Sequence, residues 1–340
     1  MSHSSSFIDD SVTGDLDASG SKGRVLLVVC LYENNFGDQL IYQTIEKKLH
    51  RQGFTTETVE ISEKLSSSRL IERANNSDFL YFVGGGLIER WAPDVIRYFT
   101  SVYLQLRVPH GVIGLSTGSF DYSEFNNSLK LFCDTASFFY TRDEDSVEAF
   151  VRAGASKLPE VGVDVVFAND TLGRLRRTGS GISANFRNIP YPDITGDLDW
   201  AEWGVAMRNA GVKSLIPDCS NAQEQLGLPV SQNSILAELT GCSMVVAMRF
   251  HIVLAAAMMG VLPVPVAYCP KVKRLADQLG IGDYCLGIKD SGRLAEIIDK
   301  LKANEQIIRI NLAKRAAEMK LAANKLIDRS IKSMECVING

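Results

Sequence analysis

Arg249 and His251 stand two residues apart where a predicted buried strand gives way to an apolar helix, in VVAMRFHIVLAAAMMG. In extended backbone, residues two apart project to one side. The amino terminus of a helix favours anions, because its dipole is positive there. Lys271 follows the next predicted strand, which places a third cation at a neighbouring strand end. Because converging like charges repel one another, this cluster predicts a site for a compact anion.

A further cation, Arg142, closes another predicted strand in YTRDEDSVEAF. The acidic residues 143–145 that follow it suit the first turn of a helix, where the dipole favours negative charge. An arginine at that point opposes the dipole unless it pairs with those acids or projects towards a ligand. The sequence leaves both arrangements open, and Arg142 is a candidate anion ligand.

Polar residues and a glycine fill the turn after the first predicted strand, in LYENNFGDQL. Ligands of parallel α/β sheets bind at the carboxyl ends of strands, so Asn35, Gly37 and Asp38 are candidate contacts. Gly37 would let the backbone approach a ligand, and Asp38 could bind a sugar hydroxyl or act as a base. Helix capping by Asp38 and a tight turn at Gly37 explain the same residues without a ligand.

Small residues end two more strands: Gly84, Gly85 and Gly86 in VGGGLIER, and Ser116 and Thr117 in STGSF. Glycines free backbone amides to point at an anion or a sugar, although a tight turn accounts for them equally well. The usual nucleotide fingerprints, G-x-G-x-x-G with a later acidic residue and G-K-[ST], are absent. No histidine spacing predicts a metal site.

Short apolar runs alternating with helical periodicity position all of these residues. From Arg24 the runs are nearly continuous hydrophobics, as strands buried on both faces of a parallel sheet are. A polar stretch after the strand-like VGVDVVFA (161–168) suits a linker, and the alternation then begins again. The pattern predicts an α/β fold with parallel sheets, in which two Rossmann-like domains face a cleft.

This alternation divides the chain into four predicted segments. The first carries too little apolar surface to order itself, and the last has the pattern of one long amphipathic helix. They are a disordered leader at 1–22, an amino-terminal Rossmann-like domain at 23–172, a carboxyl-terminal Rossmann-like domain at 173–303, and a helix at 304–340 that packs back across the domains.

The composition is that of an ordinary globular protein, with 46% hydrophobic and 22% charged residues among 340. A net charge of -4 attracts neither nucleic acid nor anionic membrane. Seven scattered cysteines without a C-x-x-C pair predict reduced thiols. The sequence shows neither a signal peptide nor an apolar run of about 18 residues. We therefore expect a cytoplasmic protein without a transmembrane segment.

Taken together, these motifs resemble those of the polysaccharide pyruvyl transferase family over residues 25–285. The shared motifs are N-x-G-D at Asn35–Asp38, G-G-G at Gly84–Gly86, R-D-x-x-S at Arg142–Ser146, R-x-H at Arg249–His251 and Y-x-x-K at Tyr268–Lys271. The last two are the most specific. Val163-Asp164-Val165 replaces the family's usual Pro-Asp-Pro, and Phe250 stands where leucine is commoner.

The resemblance implies a glycosyltransferase-B-like (GT-B) fold, phosphoenolpyruvate as donor substrate and a pyruvate ketal on a sugar as product. It requires neither a metal nor a cofactor. It implies that Arg142, Arg249 and Lys271 hold the donor, and we assign His251 as the general acid that protonates it. Asp38 is the candidate base for the acceptor, and the amino-terminal domain is the acceptor side.

Two other functions stay open. A glycosyltransferase of the same shape would use a nucleotide sugar and would need carboxylates at the strand ends of the carboxyl-terminal domain. The chain has Arg249, His251 and Lys271 there instead. The other alternative is a sugar- or phosphate-binding relative without turnover.

The expected acceptor is a saccharide, either in a polysaccharide or in its lipid-linked precursor. The aromatic residues Trp91, Phe120, Tyr122 and Phe125 could stack on its rings or simply pack. A lipid-linked acceptor would bring peripheral membrane contact. The acceptor sugar, its linkage, and whether the protein is a monomer or a homo-oligomer stay open.

Overall fold

The computed structural model describes residues 21–29, 35–60, 67–86, 105–117, 123–186, 198–216 and 231–340. These residues form two compact units. The amino-terminal unit runs to Ala168 and takes in Lys320–Gly340, and the carboxyl-terminal unit is Asn169–Met319. The domain limits predicted at 172 and 303 stay a prediction. Among the helices that the structure describes, none has the length and apolar character needed to cross a membrane.

The amino-terminal unit contains a parallel sheet with the strand order β2-β1-β3-β4-β5-β6 in its described part. Its strands are β1 (Arg24–Val29), β2 (Thr55–Glu60), β3 (Phe79–Val83), β4 (His110–Leu115), β5 (Phe139–Thr141) and β6 (Glu160–Val161). Its helices include α1 (Phe36–Arg51), α2 (Ser67–Asn75), α3 (Asn126–Asp134) and α4 (Glu144–Arg152). Strands β3 and β4 are buried at every residue, which explains their unbroken apolar sequences.

The predicted strand at 161–168 is wrong beyond Val161. The chain instead forms a 3-10 turn at Val165–Ala168, all of it buried and packed on α1. Asp164 accepts a hydrogen bond from the Val166 N–H at 2.9 Å, which holds the start of this turn. An apolar segment can therefore be buried as a turn rather than a strand when a side chain, here Asp164, accepts the hydrogen bond of a backbone N–H that a neighbouring strand would otherwise accept.

The carboxyl-terminal unit has a second parallel sheet, with the order β11-β10-β9-β7-β8 in its described part. Its strands are β7 (Gly181–Asn185), β8 (Val212–Leu215), β9 (Cys242–Ala247), β10 (Leu262–Ala267) and β11 (Leu286–Gly287). Its helices include α5 (Asp170–Arg174), α6 (Trp200–Asn209), α7 (Gln232–Thr240), α8 (Phe250–Met259), α9 (Pro270–Gln278) and α10 (Leu294–Ala303).

The predicted long helix is α11 (Glu305–Asn339), and its two halves pack within different units. In the carboxyl-terminal unit, Arg309 donates to the Ser243 carbonyl at 3.1 Å. In the amino-terminal unit, the Ser330 and Tyr81 hydroxyls share a hydrogen bond of 2.5 Å. Arg329 lies over the Tyr140 ring at 5.2 Å. The end of the chain thus covers an aromatic face of the first sheet.

Both sheets have the same winding, in which the second strand lies on one side of the first and the third strand lies on the other. The connections after β1 and β3 therefore leave the sheet in opposite directions, and so do those after β7 and β9. Such a reversal opens a crevice at the carboxyl ends of the two strands, where α/β proteins bind ligands. Among the described strands, this reversal occurs at β1/β3 in the amino-terminal unit and at β7/β9 in the carboxyl-terminal unit.

The pH dependence of stability is expected to depend on His110, which is 3% exposed at the start of β4. Its Nε2 lies 3.3 Å from the Phe132 carbonyl, and burial lowers the pKa of His110 from 6.5 to about 4. Between these two pKa values the unfolded chain binds a proton at His110 that the folded chain does not. The free energy of unfolding is therefore highest above pH 6.5 and falls as the pH is lowered towards 4. The loss should be about 3 kcal/mol.

Urea titrations between pH 7 and 4 measure this loss, with His110→Gln as the variant that cannot titrate. We expect a shallower fall in the free energy of unfolding for the variant. Parallel curves for the two proteins would contradict the assignment.

Candidate functional site

Three of the four predicted cations lie at or beside the crevice of the carboxyl-terminal unit. Arg249 directly precedes α8 in an extended conformation, and its side chain does not cap the helix. His251 is the second residue of α8, and its ring lies 5.1 Å from that of Phe250 in an edge-on contact. This contact restrains the imidazole where the helix begins.

Strand pairing brings the third cation beside these two. Strand β10 pairs in parallel with β9, so both strands end at the same edge of the sheet. Lys271 is the second residue of α9, the helix that follows β10. Arg249, His251 and Lys271 are all half-buried. The structure therefore places the three predicted cations at adjacent strand ends, beside two helix amino termini.

Sequence reasoning missed Asn185, the last residue of β7 and the neighbour of Ala247 on β9. It is 1% exposed, and its amide donates to the Ile216 carbonyl at 3.2 Å. The available signal was a polar residue closing an otherwise apolar strand, in GISANF. Buried polar residues at a strand end next to a crevice are candidate ligand contacts.

The crevice of the amino-terminal unit brings Asp38 against the glycine turn. Asn35, rather than Asp38, caps α1, since its side chain accepts from the Gly37 N–H at 3.0 Å. A Cβ added at Gly85 would lie 2.8 Å from Oδ1 of Asp38, so this carboxylate sits directly on the turn. Gly85 has a φ of +145°, which favours glycine.

Close packing also explains Gly84, where an added Cβ would lie 2.2 Å from the Gly114 carbonyl carbon. The Gly84 N–H donates to the Ile113 carbonyl at 2.7 Å. Close packing and backbone conformation therefore explain the glycines at positions 84 and 85 without a ligand. Gly86, the next residue, is half-buried. Binding of an anion or a sugar by this turn stays a prediction.

Ser116 and Thr117 are buried and bonded to the start of α4. The Ser116 hydroxyl donates to Asp143 at 2.9 Å, and the Thr117 N–H donates to the Ser146 hydroxyl oxygen at 2.9 Å. Asp143 also caps α4 by accepting from the Ser146 N–H at 2.9 Å. This network joins the ends of β4 and β5. A ligand-binding role for the two residues stays a prediction.

Arg142 has a carboxylate partner other than the three acids that follow it. Its Nη1 lies 3.1 Å from Oδ2 of Asp164, with the two side chains 5% and 3% exposed. The pair ties the end of β5 to the 3-10 turn at Val165–Ala168. Arg142 belongs to the amino-terminal unit, whereas the other three predicted cations belong to the carboxyl-terminal unit. Its role in donor binding stays a prediction.

Of the aromatic residues proposed for sugar stacking, Phe125 is 5% exposed and packs in the hydrophobic core of its unit. Trp91, Phe120 and Tyr122 lie outside the described residues. No cluster of three or more His, Cys, Asp or Glu side chains suited to a metal occurs in the described part of the chain.

Asp164→Ala should strongly destabilise the protein, because it leaves the Arg142 guanidinium buried without its carboxylate. Removing one partner of a buried ion pair costs about 3–5 kcal/mol. Replacing both with apolar residues avoids the uncompensated charge, so the double variant should lose less, chiefly the bond from the Val166 N–H to Asp164. Urea unfolding of Asp164→Ala and of Arg142→Met/Asp164→Leu measures both effects. Glu148→Ala is the control, since its ion pair with Arg152 is exposed. A loss of stability no larger than the control's would contradict the prediction.

Solved structures of low sequence identity share the fold. The UDP-GlcNAc 2-epimerase of Neisseria meningitidis superposes with a TM-score of 0.59 at 10% identity, covering 91% of this chain and 100% of the epimerase. A putative UDP-N-acetylglucosamine 2-epimerase of Listeria monocytogenes gives 0.58 at 13% identity, covering 91% and 96%. An alpha-glucosyltransferase in complex with UDP and DNA gives 0.54 at 9%, covering 93% and 100%. These similarities confirm the predicted GT-B fold class.

In sequence, no curated protein matches the chain significantly. The family model described as polysaccharide pyruvyl transferase matches residues 35–270. The match includes Asn35, Asp38, Arg142, Arg249 and His251, and it ends one residue before Lys271. Because it spans more than half of the sequence, this chain belongs to the polysaccharide pyruvyl transferase family.

Proposed function

We propose that this protein transfers pyruvate from phosphoenolpyruvate to a sugar of a polysaccharide or of its precursor, forming a pyruvate ketal. One observation carries the proposal: Arg249, His251 and Lys271 lie at adjacent strand ends beside the β7/β9 crevice. Phosphoenolpyruvate is a compact anion with a carboxylate and a phosphate, and it suits a cluster of this charge and size.

Each cation has a distinct task in this proposal. The Arg249 guanidinium can form two parallel hydrogen bonds with a carboxylate or a phosphate. The Lys271 ammonium is a point charge that offsets negative charge on the departing phosphate. Arg142 is a further proposed donor ligand. Because it also forms a buried ion pair with Asp164, its contribution to donor affinity must be measured separately from its contribution to stability.

The reaction needs a proton on the methylene carbon of phosphoenolpyruvate. His251 supplies it as general acid, and the adjacent carbon becomes cation-like and bonds to the oxygen of a first hydroxyl. A second hydroxyl of the sugar then displaces phosphate, which closes the ketal. The two hydroxyls release two protons: one balances the proton that enters the new methyl group, and the other leaves on hydrogen phosphate. The total charge of three minus is therefore the same before and after the reaction.

Asp38 is the proposed base for an acceptor hydroxyl. Its carboxylate lies against the Gly85 backbone at the β1/β3 crevice, in the position where α/β sheets bind ligands. The proposal requires no metal or organic cofactor. A nucleotide-sugar glycosyltransferase is the competing function, and binding measurements separate the two.

Donor binding should depend on Arg249. Calorimetry with phosphoenolpyruvate and a panel of nucleotide sugars should detect heat for phosphoenolpyruvate alone, and Arg249→Ala should abolish it. Arg249→Lys keeps the charge but loses the paired bonds, which costs roughly 1.5–3 kcal/mol or about 10- to 150-fold in affinity. Binding of a nucleotide sugar instead would make the protein a glycosyltransferase.

Lys271 offers an internal comparison on helix α9. Lys273 lies two residues further on, exposed and bonded to Asp277 at 2.6 Å. We expect Lys271→Ala to weaken phosphoenolpyruvate binding while Lys273→Ala leaves it unchanged. Equal effects of the two variants would mean that any positive charge on this helix attracts the anion, and would remove Lys271 from the proposed binding site.

His251→Asn should reduce turnover by about 10²- to 10⁴-fold, the usual effect of losing a positioned general acid. The affinity for phosphoenolpyruvate should change little, since the arginine and lysine remain. Phosphate release in the presence of glycan acceptors measures turnover, and calorimetry measures affinity. His50→Asn is the control, because His50 contacts Thr56 in the other unit. Near-normal turnover of His251→Asn would remove His251 from the mechanism.

A further inference from the structure

Asn185 presents a buried hydrogen-bond acceptor that the rest of the described chain does not use. Its side-chain nitrogen donates to the Ile216 carbonyl at 3.2 Å, and its backbone carbonyl accepts from the Met248 N–H at 3.0 Å. Its Oδ1 is buried and has no hydrogen-bond partner among the described residues. Rotating the amide by 180° would set two carbonyl oxygens against each other, so the oxygen orientation is determined.

A second amide oxygen in the same condition belongs to Asn233. Its Oδ1 is also buried without a hydrogen-bond partner in the part of the chain that the structure describes. Asn233 is the second residue of α7, which ends at Thr240 and leads directly into β9 at Cys242. Helix α7 therefore begins at the carboxyl edge of the sheet, the edge at which β7 ends in Asn185.

A buried acceptor that the protein leaves unused is normally satisfied by an ordered water or by a ligand. More than about 90% of buried polar groups in proteins have a partner, and leaving one without costs about 1–3 kcal/mol. Asn185 stands at the β7/β9 crevice, where the winding of the sheet reverses. The missing partner must itself carry a hydrogen. The carboxylate and phosphate of phosphoenolpyruvate are acceptors, so the donor substrate does not supply it.

The hydroxyl groups of a sugar do supply it. Transfer requires the attacking oxygen to come within about 3–3.5 Å of the reacting carbon, so an acceptor hydroxyl must enter the crevice that holds the donor. A neutral amide oxygen can orient that hydroxyl without the repulsion that a carboxylate would suffer beside a trianion. Unlike a carboxylate, it does not take the proton.

An exposed aromatic ring lies at the same edge. Trp200 is the first residue of α6, which leads into β8, so this helix also begins at the carboxyl edge. Trp200 is 45% exposed, and its ring centroid lies 6.1 Å from that of Phe186, the residue after Asn185. A partly exposed tryptophan supported by a second ring offers a flat apolar surface on which a pyranose can stack.

We propose that Asn185, Asn233 and Trp200 form a sugar-binding subsite of the carboxyl-terminal unit, in which Asn185 orients the hydroxyl that attacks the donor. The role of Asn185 in the reaction rests on the proposed function. The choice of a sugar as the ligand rests on it too, because it follows from the transfer of pyruvate to a hydroxyl, but glycoside binding can be measured without the donor.

Saturation-transfer NMR with methyl glycosides of glucose, galactose, mannose and N-acetylglucosamine tests the subsite directly. Wild-type protein should bind at least one of these probes. Asn185→Leu and Asn233→Ala should each weaken that binding about 3- to 10-fold, the value of one hydrogen bond. Trp200→Ala and Asn233→Ala alter partly exposed residues, so they stay informative if Asn185→Leu fails to fold.

Ser183→Ala is the matched control. It removes the 2.8 Å hydrogen bond to Ser214, two residues before Asn185 on the same face of β7. Glycoside binding that survives in the control but falls in the other three variants supports the subsite. Absence of binding to wild-type protein, or variants that bind as the control does, overturns it.

Calorimetry with phosphoenolpyruvate separates this inference from the proposed function. If the three variants lose the glycoside while wild-type protein fails to bind phosphoenolpyruvate, the sugar subsite stands and the proposed donor is wrong. If wild-type protein binds phosphoenolpyruvate and the variants lose that binding instead of the glycoside, the donor stands and the sugar subsite is overturned.

Discussion

The reversal of winding in each parallel sheet is the constraint on which the candidate site depends. A parallel sheet brings the carboxyl ends of all its strands to one edge. Loops that leave neighbouring strands in the same direction pack side by side there and leave no crevice between them. Among the described strands, the chain leaves in opposite directions between β1 and β3 and between β7 and β9 alone. The candidate site residues lie at the carboxyl ends of these strands or just after them: Asp38 and Gly85 in one unit, and Asn185, Arg249 and His251 in the other.

The two units treat their charges differently. The amino-terminal unit buries Arg142 against Asp164, and it buries Asp143 among the hydroxyls of Ser116 and Ser146. Such pairs hold loops in place at the end of a sheet, because breaking one leaves a charge in a medium of low dielectric. The carboxyl-terminal unit keeps Arg249, His251 and Lys271 half-buried at the strand ends.

Backbone approach and side-chain chemistry are linked in the amino-terminal crevice. Strands β3 and β4 come so close at Gly84 that no side chain fits, and Gly85 leaves room only for the Asp38 carboxylate. Any side chain at these positions would displace that carboxylate or separate the strands. The glycine turn thus places Asp38, whatever further contacts its amides make.

The amino-acid sequence was enough to predict the alternation of strands and helices, the parallel α/β class, the long final helix and the strand ends that carry Asp38, Arg142, Arg249, His251 and Lys271. These follow from local periodicity, because strands buried on both faces must be apolar throughout. The family match and the solved structures confirm the family and the fold class.

The strand order, the partner of Arg142 and the unused amide oxygen of Asn185 could not be predicted from the sequence. Asp164 lies 22 residues after Arg142, and the sequence offered nearer carboxylates. The Asn185 amide oxygen has no partner among the described residues, and this depends on its whole surroundings, which include Ile216 and Met248 just after β8 and β9. Periodicity reports which face of an element is buried, whereas long-range packing decides which groups meet there.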